Sequence, residues 1–297
     1  MTEKRKIWHW LALLILSLIW GTSYILMKKG LESFSPLQVG ALRIVITFIC
    51  LLPLALKHFR QLNRSNIFSI IIIGMFGSVI PAFLFPLAET RISSSLAGML
   101  NTLSPVFTLL FGIIIYNRKA IKTQIAGVFI GLIGAIGLLY TGSFTFNAFG
   151  LFVVLATVIS GISSNEVSKV KAMNGIRITA LSFFVTSPIA IIYLLFSDFS
   201  APMHTDNWVR NLCFIGILAV LGSATALVIY YLLIRDTSPI YASSVTYFIP
   251  VVATLWGLAD NEHFSSSMVI SVVFIFAGVF IINKPDFFNK RRLISDE

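Results

Sequence analysis

The sequence predicts an all-α integral membrane protein with ten transmembrane helices in two inverted five-helix repeats. Three observations support this fold class: the chain has few charges, its apolar runs are long, and its second half repeats features of the first. Of its 297 residues, 57% are hydrophobic and only 11% are charged. Since a soluble domain carries roughly a quarter charged residues, this composition excludes a soluble globular enzyme, a disordered chain and a fibrous protein.

Ten apolar runs in the chain are long enough to form membrane helices. A helix needs about 20 mostly apolar residues to cross a hydrocarbon layer of ~30 Å, because it must satisfy its own backbone hydrogen bonds there. The runs cover residues 8–28, 37–56, 66–87, 94–116, 122–140, 148–168, 177–197, 208–233, 239–258 and 267–283. The first run is too long for the apolar part of a signal peptide, so we expect it to be retained. The connections are too short for a second folded domain, and the function is expected inside the bundle.

The basic residues predict the orientation of the helices. With the N-terminus in the cytoplasm, 17 of the 22 Lys and Arg residues fall on cytoplasmic segments, whereas most acidic residues fall outside. Short loops rich in Lys and Arg stay on the cytoplasmic side. We therefore predict a multi-pass protein of the plasma or inner membrane with both termini in the cytoplasm. Because this topology accounts for the net charge of +10, no nucleic-acid partner is expected.

An internal repeat relates the two halves of the chain at a shift of 145 residues. The aligned positions include Gly77 with Gly222, Ser78 with Ser223, Ser93 with Ser238 and Pro105 with Pro250. The repeat unit is five helices, which assigns residues 1–140 to the first repeat and 141–297 to the second. Because five is an odd number, we expect the second repeat to enter the membrane upside down relative to the first. Inverted repeats are typical of secondary transporters, whose substrate binds near the midplane between the halves.

Short motifs occur in a consistent order along the two repeats. They are Trp20-Gly21-Thr22-Ser23 in the first helix, Ala41-Leu42-Arg43 in the second, Leu103-Ser104-Pro105 in the fourth and Phe248-Ile249-Pro250 in the ninth. In this order they resemble the EamA family of the drug/metabolite transporter superfamily, and the resemblance covers the whole chain. It implies a carrier or exporter of amino acids, other small metabolites or drugs, by facilitated or proton-linked exchange. The family usually has an acidic residue at the end of the fourth helix of each repeat; Glu262 fits this pattern, whereas the first repeat has Asn117.

A substrate site is predicted near the membrane midplane. A proline inside a helix frees a backbone carbonyl, and such a break is tolerated where protein or a watery cavity satisfies that group. The two aligned prolines lie about 18 Å into their helices, and a tryptophan of the first helix lies at a similar depth. The residues expected to bind substrate are Trp20, Tyr24, Arg43, Asn101, Pro105, Tyr231, Tyr247 and Pro250. For the aromatic residues, packing against lipid or core is the alternative.

Ionisable side chains within the apolar runs are functional candidates, because charge in a membrane is costly. Arg43 is expected to bind a carboxylate of the substrate or to pair with Glu89. Glu166 is the candidate for proton coupling. It lies close to Lys169 in the sequence, so a pair with a lysine at the interface is the alternative.

Together these features predict a secondary transporter of small organic metabolites such as amino acids, which works by alternating access around a midplane site between the repeats. Export is the favoured direction; a membrane channel and a membrane-embedded enzyme are the alternatives. The expected partners are a small-molecule substrate, protons and the lipid bilayer. The four histidines lie near the ends of the runs with no carboxylate cluster, so no metal, cofactor or enzymatic activity is expected. Glycines of the fifth run are expected to pack against another helix or a second copy, which leaves a monomer or a homodimer.

Overall fold

Helices account for nearly all of the structure. The computed structural model describes residues 3–119, 121–141, 145–262 and 265–283. Within these residues the main helices are α1 (Glu3–Leu31), α2 (Pro36–His58), α3 (Ile67–Glu89), α4 (Ser94–Ile114), α5 (Lys122–Leu139), α6 (Gly150–Lys169), α7 (Gly175–Leu195), α8 (Trp208–Asp236), α9 (Pro239–Ala259) and α10 (Ser266–Asn283). The shorter elements are the 3₁₀ turn Phe59–Gln61, the helical turn Ser200–Met203 and the paired antiparallel strands β1 (Tyr140–Thr141) and β2 (Thr145–Phe146). These strands connect α5 to α6 and are too short to form a sheet layer, so the predicted all-α class is confirmed.

Nine helices of the described residues, α1 to α9, are long and apolar enough to cross a membrane. The tenth predicted span corresponds to α10, whose apolar stretch Ser266–Ile282 is shorter than the 18 residues of α5. Large apolar side chains such as Phe129, Phe196 and Leu255 are 64%, 87% and 62% exposed on the outside of the bundle. This is the surface that a protein presents to lipid tails. The basic residues between 284 and 292, which support the predicted orientation, lie outside the described residues.

Equivalent helices of the two halves pack in equivalent ways. α1 packs against α8 and α9 of the second half, and α6 packs against α3 and α4 of the first. The pairs α2 with α7, α4 with α9 and α5 with α10 each join a helix to its counterpart. A twofold relation between two five-helix units generates this pattern of contacts. The two-repeat organisation is therefore present in the packing as well as in the sequence.

Two glycines allow close contacts between the halves. A Cβ atom on Gly21 of α1 would lie 2.4 Å from Cβ of Val252 in α9. A Cβ atom on Gly161 of α6 would lie 2.8 Å from the backbone carbon of Phe107 in α4. Since these two contacts are equivalent under the repeat, each half inserts a glycine of its first helix against the fourth helix of the other half. Small residues permit such approaches between helices in lipid.

The glycines of α5 pack within the chain. A Cβ atom on Gly127 would lie 2.5 Å from the carbonyl oxygen of Gly278, and one on Gly134 would lie 2.6 Å from that of Ser271. The backbones of α5 and α10 therefore touch along their length. Of the two predicted uses of these glycines, contact with another helix of the same chain is the one observed.

In the part of the chain that the structure describes, four helices contain a local break, and counterpart helices contain the same kind of break. α3 and α8 include π-helical segments, Met75–Val79 and Leu218–Thr225, whereas α4 and α9 include 3₁₀ segments, Asn101–Leu103 and Ser244–Tyr247. Proline explains the break in α4, because Pro105 has no N–H to donate to the carbonyl of Asn101. The Ser104 hydroxyl donates to that carbonyl instead, at 2.9 Å.

The contact at Gly161 predicts a specific sensitivity to substitution. Gly161→Ala forces a methyl group onto the backbone of α4, and overpacking of this kind costs about 1–3 kcal/mol. We expect a lower melting temperature of the detergent-solubilised protein in a fluorescence unfolding assay. Gly216→Ala in α8 is the matched control, since a Cβ atom there meets no heavy atom within 4 Å. Equal melting of the two variants would contradict the close approach of α6 to α4.

Candidate functional site

A cavity at the centre of the bundle is lined by helices of both halves. The space free of protein atoms in the cavity and at its opening to solvent is about 960 Å³. The helices α1 to α4 and α6 to α9 all contribute lining residues, whereas the described residues of α5 and α10 contribute none. Aromatic, aliphatic and hydroxyl side chains make up most of the lining, and Arg43 is the one charged residue among them. Five of the eight predicted binding residues line this cavity: Trp20, Tyr24, Arg43, Asn101 and Tyr231.

Trp20 is fixed across the cavity by the π-helical segment of α8. Its indole Nε1 donates to the carbonyl oxygen of Gly222 at 2.9 Å. Its ring also meets the ring of Tyr230 edge-on, with centroids 5.1 Å apart. The Tyr230 hydroxyl in turn lies 2.9 Å from that of Ser164 in α6. One aromatic wall thus joins α1, α8 and α6, and Trp20 serves the cavity rather than the membrane surface.

Arg43 presents its charge to the cavity from α2. Its Nε donates to the Ser223 hydroxyl at 2.6 Å, within the π-helical segment of α8. One turn further along α2, the Thr47 hydroxyl donates to the Ala219 carbonyl at 3.0 Å. The guanidinium forms no ion pair in the described part of the chain, so the predicted pair with Glu89 is not formed. A cation with hydrogen-bonding capacity therefore lines the cavity, and no carboxylate of the described residues pairs with it.

Two tyrosines add buried hydroxyl groups to the lining. Tyr24 is 4% exposed and its hydroxyl lies beside the side chain of Asn101. Tyr231 is 1% exposed and its hydroxyl lies beside Ser78 and Ser163. These groups offer donors and acceptors to a ligand between apolar walls, as small-molecule sites commonly do.

The two predicted prolines contribute indirectly. Pro105 and Pro250 are buried and do not line the cavity. Each lies at the second position of the helical segment that follows a 3₁₀ break. The breaks turn Asn101 and Thr246, which are equivalent under the repeat, toward the cavity.

Tyr247 does not reach the cavity. Its hydroxyl donates to the Val279 carbonyl at 2.9 Å, and its ring lies 6.3 Å from that of Phe276. It therefore links α9 to α10.

Glu166 lies at one end of the bundle, in a group that we call the Glu166 cluster: Ser69, Tyr116, Glu166 and Lys169. The carboxylate is 3% exposed and accepts hydrogen bonds from the hydroxyls of Ser69 and Tyr116. Lys169 Nζ lies 3.5 Å from Glu166 Oε1. Burial and then the hydrogen bond to Glu166 raise the pKa of Tyr116, which keeps its hydroxyl a donor. The cluster ties α6 to the start of α3 and to the segment after α4, so the pair with a lysine that the sequence left open is formed.

A denser polar group closes the opposite end, and we call it the Glu262 cluster: Lys28, Ser94, Ser95, Asp260 and Glu262. Lys28 Nζ lies 2.7 Å from Asp260 Oδ2 and 2.7 Å from Glu262 Oε1. Glu262 also accepts from the backbone N–H groups of Ser94 and Ser95, at 2.9 and 3.1 Å, and from both hydroxyls. A carboxylate is favoured there because the first N–H groups of a helix are unpaired and carry positive charge. The cluster joins the end of α1, the start of α4 and the segment after α9.

The Glu262 cluster holds its charge over the physiological pH range. Burial alone raises the pKa of Glu262, but the hydrogen bonds from Lys28 and Ser95 outweigh it and lower the pKa to about 2. An unfolded glutamate titrates near about 4.3. The interaction therefore stabilises the fold fully above that pH and is lost only as the pH falls through about 2.

The sequence signals for these two end clusters were incomplete. Glu262 follows an acidic family pattern, but its partners Ser94 and Ser95 lie about 168 residues away in the chain. The serines that line the cavity, such as Ser78 and Ser223, were visible only as aligned repeat positions.

In the described residues no group of three or more His, Cys, Asp or Glu side chains could hold a metal ion. The chemistry on offer is a cation, hydroxyls and aromatic faces, which suits binding of a carboxylate with an apolar or aromatic body.

The chain is similar to a transporter family model and to several curated proteins over most of its length. A family model described as "EamA-like transporter family" matches residues 7–140 and 148–284. The "Uncharacterized inner membrane transporter YedA" of Escherichia coli (strain K12) is 28% identical over 249 residues, covering 83% of this chain and 80% of that protein. The "S-adenosylmethionine/S-adenosylhomocysteine transporter" of Chlamydia trachomatis serovar L2 is 24% identical, covering 91% and 87%. "Protein PecM" of Dickeya dadantii is 24% identical, covering 93% and 92%.

A solved crystal structure has the same fold. It aligns with a TM-score of 0.66 at 18% sequence identity and covers 95% of this chain and 97% of its own.

The Glu262 cluster predicts a pH-independent contribution to stability. Glu262→Gln removes the charge that Lys28 and the start of α4 share, and we expect a loss of about 1–3 kcal/mol. The difference in melting temperature from the wild type should be the same at pH 8, 7, 6 and 5, because the carboxylate is ionised throughout. Glu32→Gln is the control, since Glu32 pairs with Lys29 nearby but has a side chain 42% exposed. A difference that shrinks between pH 7 and 6 would contradict the lowered pKa.

Proposed function

We propose that this chain, which belongs to the EamA-like transporter family, is a secondary transporter of small organic metabolites that carry a carboxylate, such as amino acids. Transport is the activity named for the family and for the Escherichia coli and Chlamydia relatives. The finer proposal concerns the class of substrate. It depends above all on one observation: Arg43 lines the central cavity and has no carboxylate partner among the described residues.

A carboxylate is the substrate group that fits Arg43. Guanidinium binds carboxylates through charge-assisted, often paired hydrogen bonds. An unpaired cation inside a bundle is costly, so a ligand that brings the missing charge gains from it. The aromatic wall of Trp20 and Tyr230 lies in the same cavity and would pack against the remainder of the ligand.

Alternating access would proceed by opening one end cluster while the other stays closed, and then the reverse. Each cluster joins helices of both halves, so closing one end and opening the other requires one cluster to break. The equivalent packing of the halves supports such a motion, since two arrangements related by the repeat have similar contacts. The cavity would then face each side of the membrane in turn. Export, which the family resemblance favours, stays a prediction, because a carrier is reversible and the gradients decide its direction.

The membrane arrangement is part of the proposal. We assign ten spans, with α10 as the last, and two inverted repeats at residues 1–140 and 141–297. With this arrangement both termini lie in the cytoplasm and the Glu262 cluster lies on the outer side of the plasma or inner membrane. The inner-membrane name of the Escherichia coli relative agrees with that location.

One relative's name guides the choice of test substrates. The Chlamydia relative is named for S-adenosylmethionine, which contains an amino-acid carboxylate and an aromatic base. No observation favours a channel or an enzyme over a carrier. The proton-coupling role predicted for Glu166 stays a prediction, and its contacts with Ser69 and Tyr116 support a structural role first.

A transport panel tests the proposed substrate class. The full-length protein in proteoliposomes is offered L-phenylalanine, L-methionine, S-adenosylmethionine, a nucleoside and a cationic dye. We expect saturable uptake of at least one carboxylate-bearing compound and none of the dye. Uptake of the dye alone would contradict the role of Arg43, and a non-saturating flux of all five compounds would favour a channel.

Trp20 is expected to be needed for substrate binding. Trp20→Ala removes an aromatic face and the hydrogen bond to Gly222, and we expect KM for the transported compound to rise roughly tenfold, equivalent to about 1.4 kcal/mol. Trp10→Ala is the matched control on the same helix, because Trp10 is 64% exposed on the outside of the bundle. Unchanged kinetics of Trp20→Ala, at equal expression, would remove Trp20 from the site.

A further inference from the structure

We propose that Glu89 is a proton-binding site that couples to the substrate site, so that a substrate carboxylate and a proton are carried together. This inference rests on the proposed function, because it requires a carboxylate to bind Arg43. Glu89 ends α3, at the opposite end of that helix from the contact of Ser69 with Glu166. The coupling proton thus binds at the opposite end of α3 from Glu166, the residue that the sequence favoured.

Among the residues that the structure describes, Glu89 is a buried carboxyl group without a hydrogen-bond or ion-pair partner. The residue is 7% exposed. Both of its carboxylate oxygens are buried and accept no hydrogen bond in the described part of the chain. By contrast, Glu166 and Glu262 are each held by several donors. Buried polar groups are nearly always paired, so an orphaned carboxyl group of this kind needs an explanation.

Three charged side chains act on Glu89 from a distance. Arg43 of α2, Lys28 of α1 and Glu262 beyond α9 interact with it electrostatically, and so does Tyr24. None of them forms an ion pair with Glu89. Lys28 is already held in the Glu262 cluster, so Arg43 is the neighbouring cation whose charge no carboxylate contacts.

The other helices around α3 carry their ionisable side chains elsewhere. On α6, Glu166 and Lys169 lie at the far end of the bundle. On α7, the ring of Tyr193 packs 6.4 Å from that of Phe83. Just beyond α3, Arg91 lies over an aromatic ring that precedes α6, at 6.0 Å. Arg43 is therefore the charged residue of the cavity lining through which a bound ligand would act on Glu89.

A substrate carboxylate on Arg43 changes the balance of charge at Glu89. An ionised carboxylate that has lost its hydrogen bonds to water depends on nearby cations. A bound substrate carboxylate cancels part of the field of Arg43, and at any pH at which Glu89 is ionised in the empty carrier it then takes up one proton from the same side of the membrane. The charges of the substrate carboxylate and the proton offset each other, so the ammonium group of an amino-acid substrate is the one net charge that the bundle gains. By reciprocity, protonation of Glu89 strengthens carboxylate binding by the same factor.

This linkage makes the carrier a symporter. A proton gradient directed into the cell drives uptake of the substrate. Export by the same route requires a substrate gradient that exceeds the proton gradient.

Two transport assays with L-phenylalanine as the probe test the proposal. The first measures exchange of labelled for unlabelled L-phenylalanine in proteoliposomes without a pH gradient. The second measures accumulation driven by an alkaline interior. We expect Glu89→Gln to keep exchange and to lose accumulation, whereas the wild type and the exposed control Asp236→Asn show both. Loss of accumulation in Glu166→Gln but not in Glu89→Gln would overturn the assignment.

The two assays separate the failure of this inference from the failure of the proposed function. Absence of exchange in the wild type would overturn the proposed amino-acid substrate. Exchange in the wild type with equal accumulation by Glu89→Gln would overturn the coupling role alone.

Proton uptake by the wild type keeps the test valid if Glu89→Gln does not fold. A pH indicator in weakly buffered detergent solution reports protons taken up when L-phenylalanine binds. We expect uptake with L-phenylalanine and none with L-phenylalaninamide, which lacks the carboxylate, and an affinity that rises by up to about tenfold per unit fall in pH. Proton release, or no change in bound protons with either compound, would overturn the proposal.

Discussion

The structure depends on one constraint: a backbone carbonyl freed inside a membrane has no water to bond. Every helix break must therefore be satisfied by protein or face a cavity. The four breaks in α3, α4, α8 and α9 meet this condition in two ways. The Ser104 hydroxyl bonds the carbonyl that Pro105 leaves free, and the indole of Trp20 bonds the carbonyl of Gly222 in a π-helical segment. The same breaks line the cavity, so the polar character of the site is a direct result of how the backbone is satisfied.

The charged side chains at the two ends of the bundle are paired differently from those nearer its centre. At each end a buried carboxylate is fully hydrogen-bonded and joins helices of both halves, as Glu166 and Glu262 illustrate. Nearer the centre, Arg43 lines the cavity, and Glu89 at the end of α3 interacts with it without forming an ion pair. Carboxylates that are held by several donors form fixed contacts. Arg43 and Glu89 are not paired, so a substrate carboxylate can bind the first and a proton the second. The distribution of partners thus distinguishes groups that close the bundle from groups that can bind.

The sequence predicted how deep a residue lies in the membrane better than it predicted whether its side chain faces the cavity. Apolar run lengths identified the helices, and the repeat identified the Gly-Ser pairs that lie in the two π-helical segments. Depth and residue type together pointed to Trp20 and Arg43, which do line the cavity. Depth alone also pointed to Tyr247, whose hydroxyl instead bonds to α10. The reason is physical: lipid and core are both apolar, so no polar face of a helix indicates which side is turned inward. Contacts between residues far apart in the chain, such as Glu262 and Ser94, could not be predicted, because the sequence does not show which helix faces meet.

The pair of α5 and α10 carries a consequence for how such proteins diversify. These helices touch through glycine backbones and contribute no described residue to the cavity lining. The groups that hold the fifth helices together are thus different residues from those that select the cargo. Substitutions on the eight helices that line the cavity can change which substrate is carried, while the contact between α5 and α10, which we call the seam, keeps its sequence. One scaffold can in this way serve many cargoes, and the seam is where a label or a fused domain would disturb recognition least.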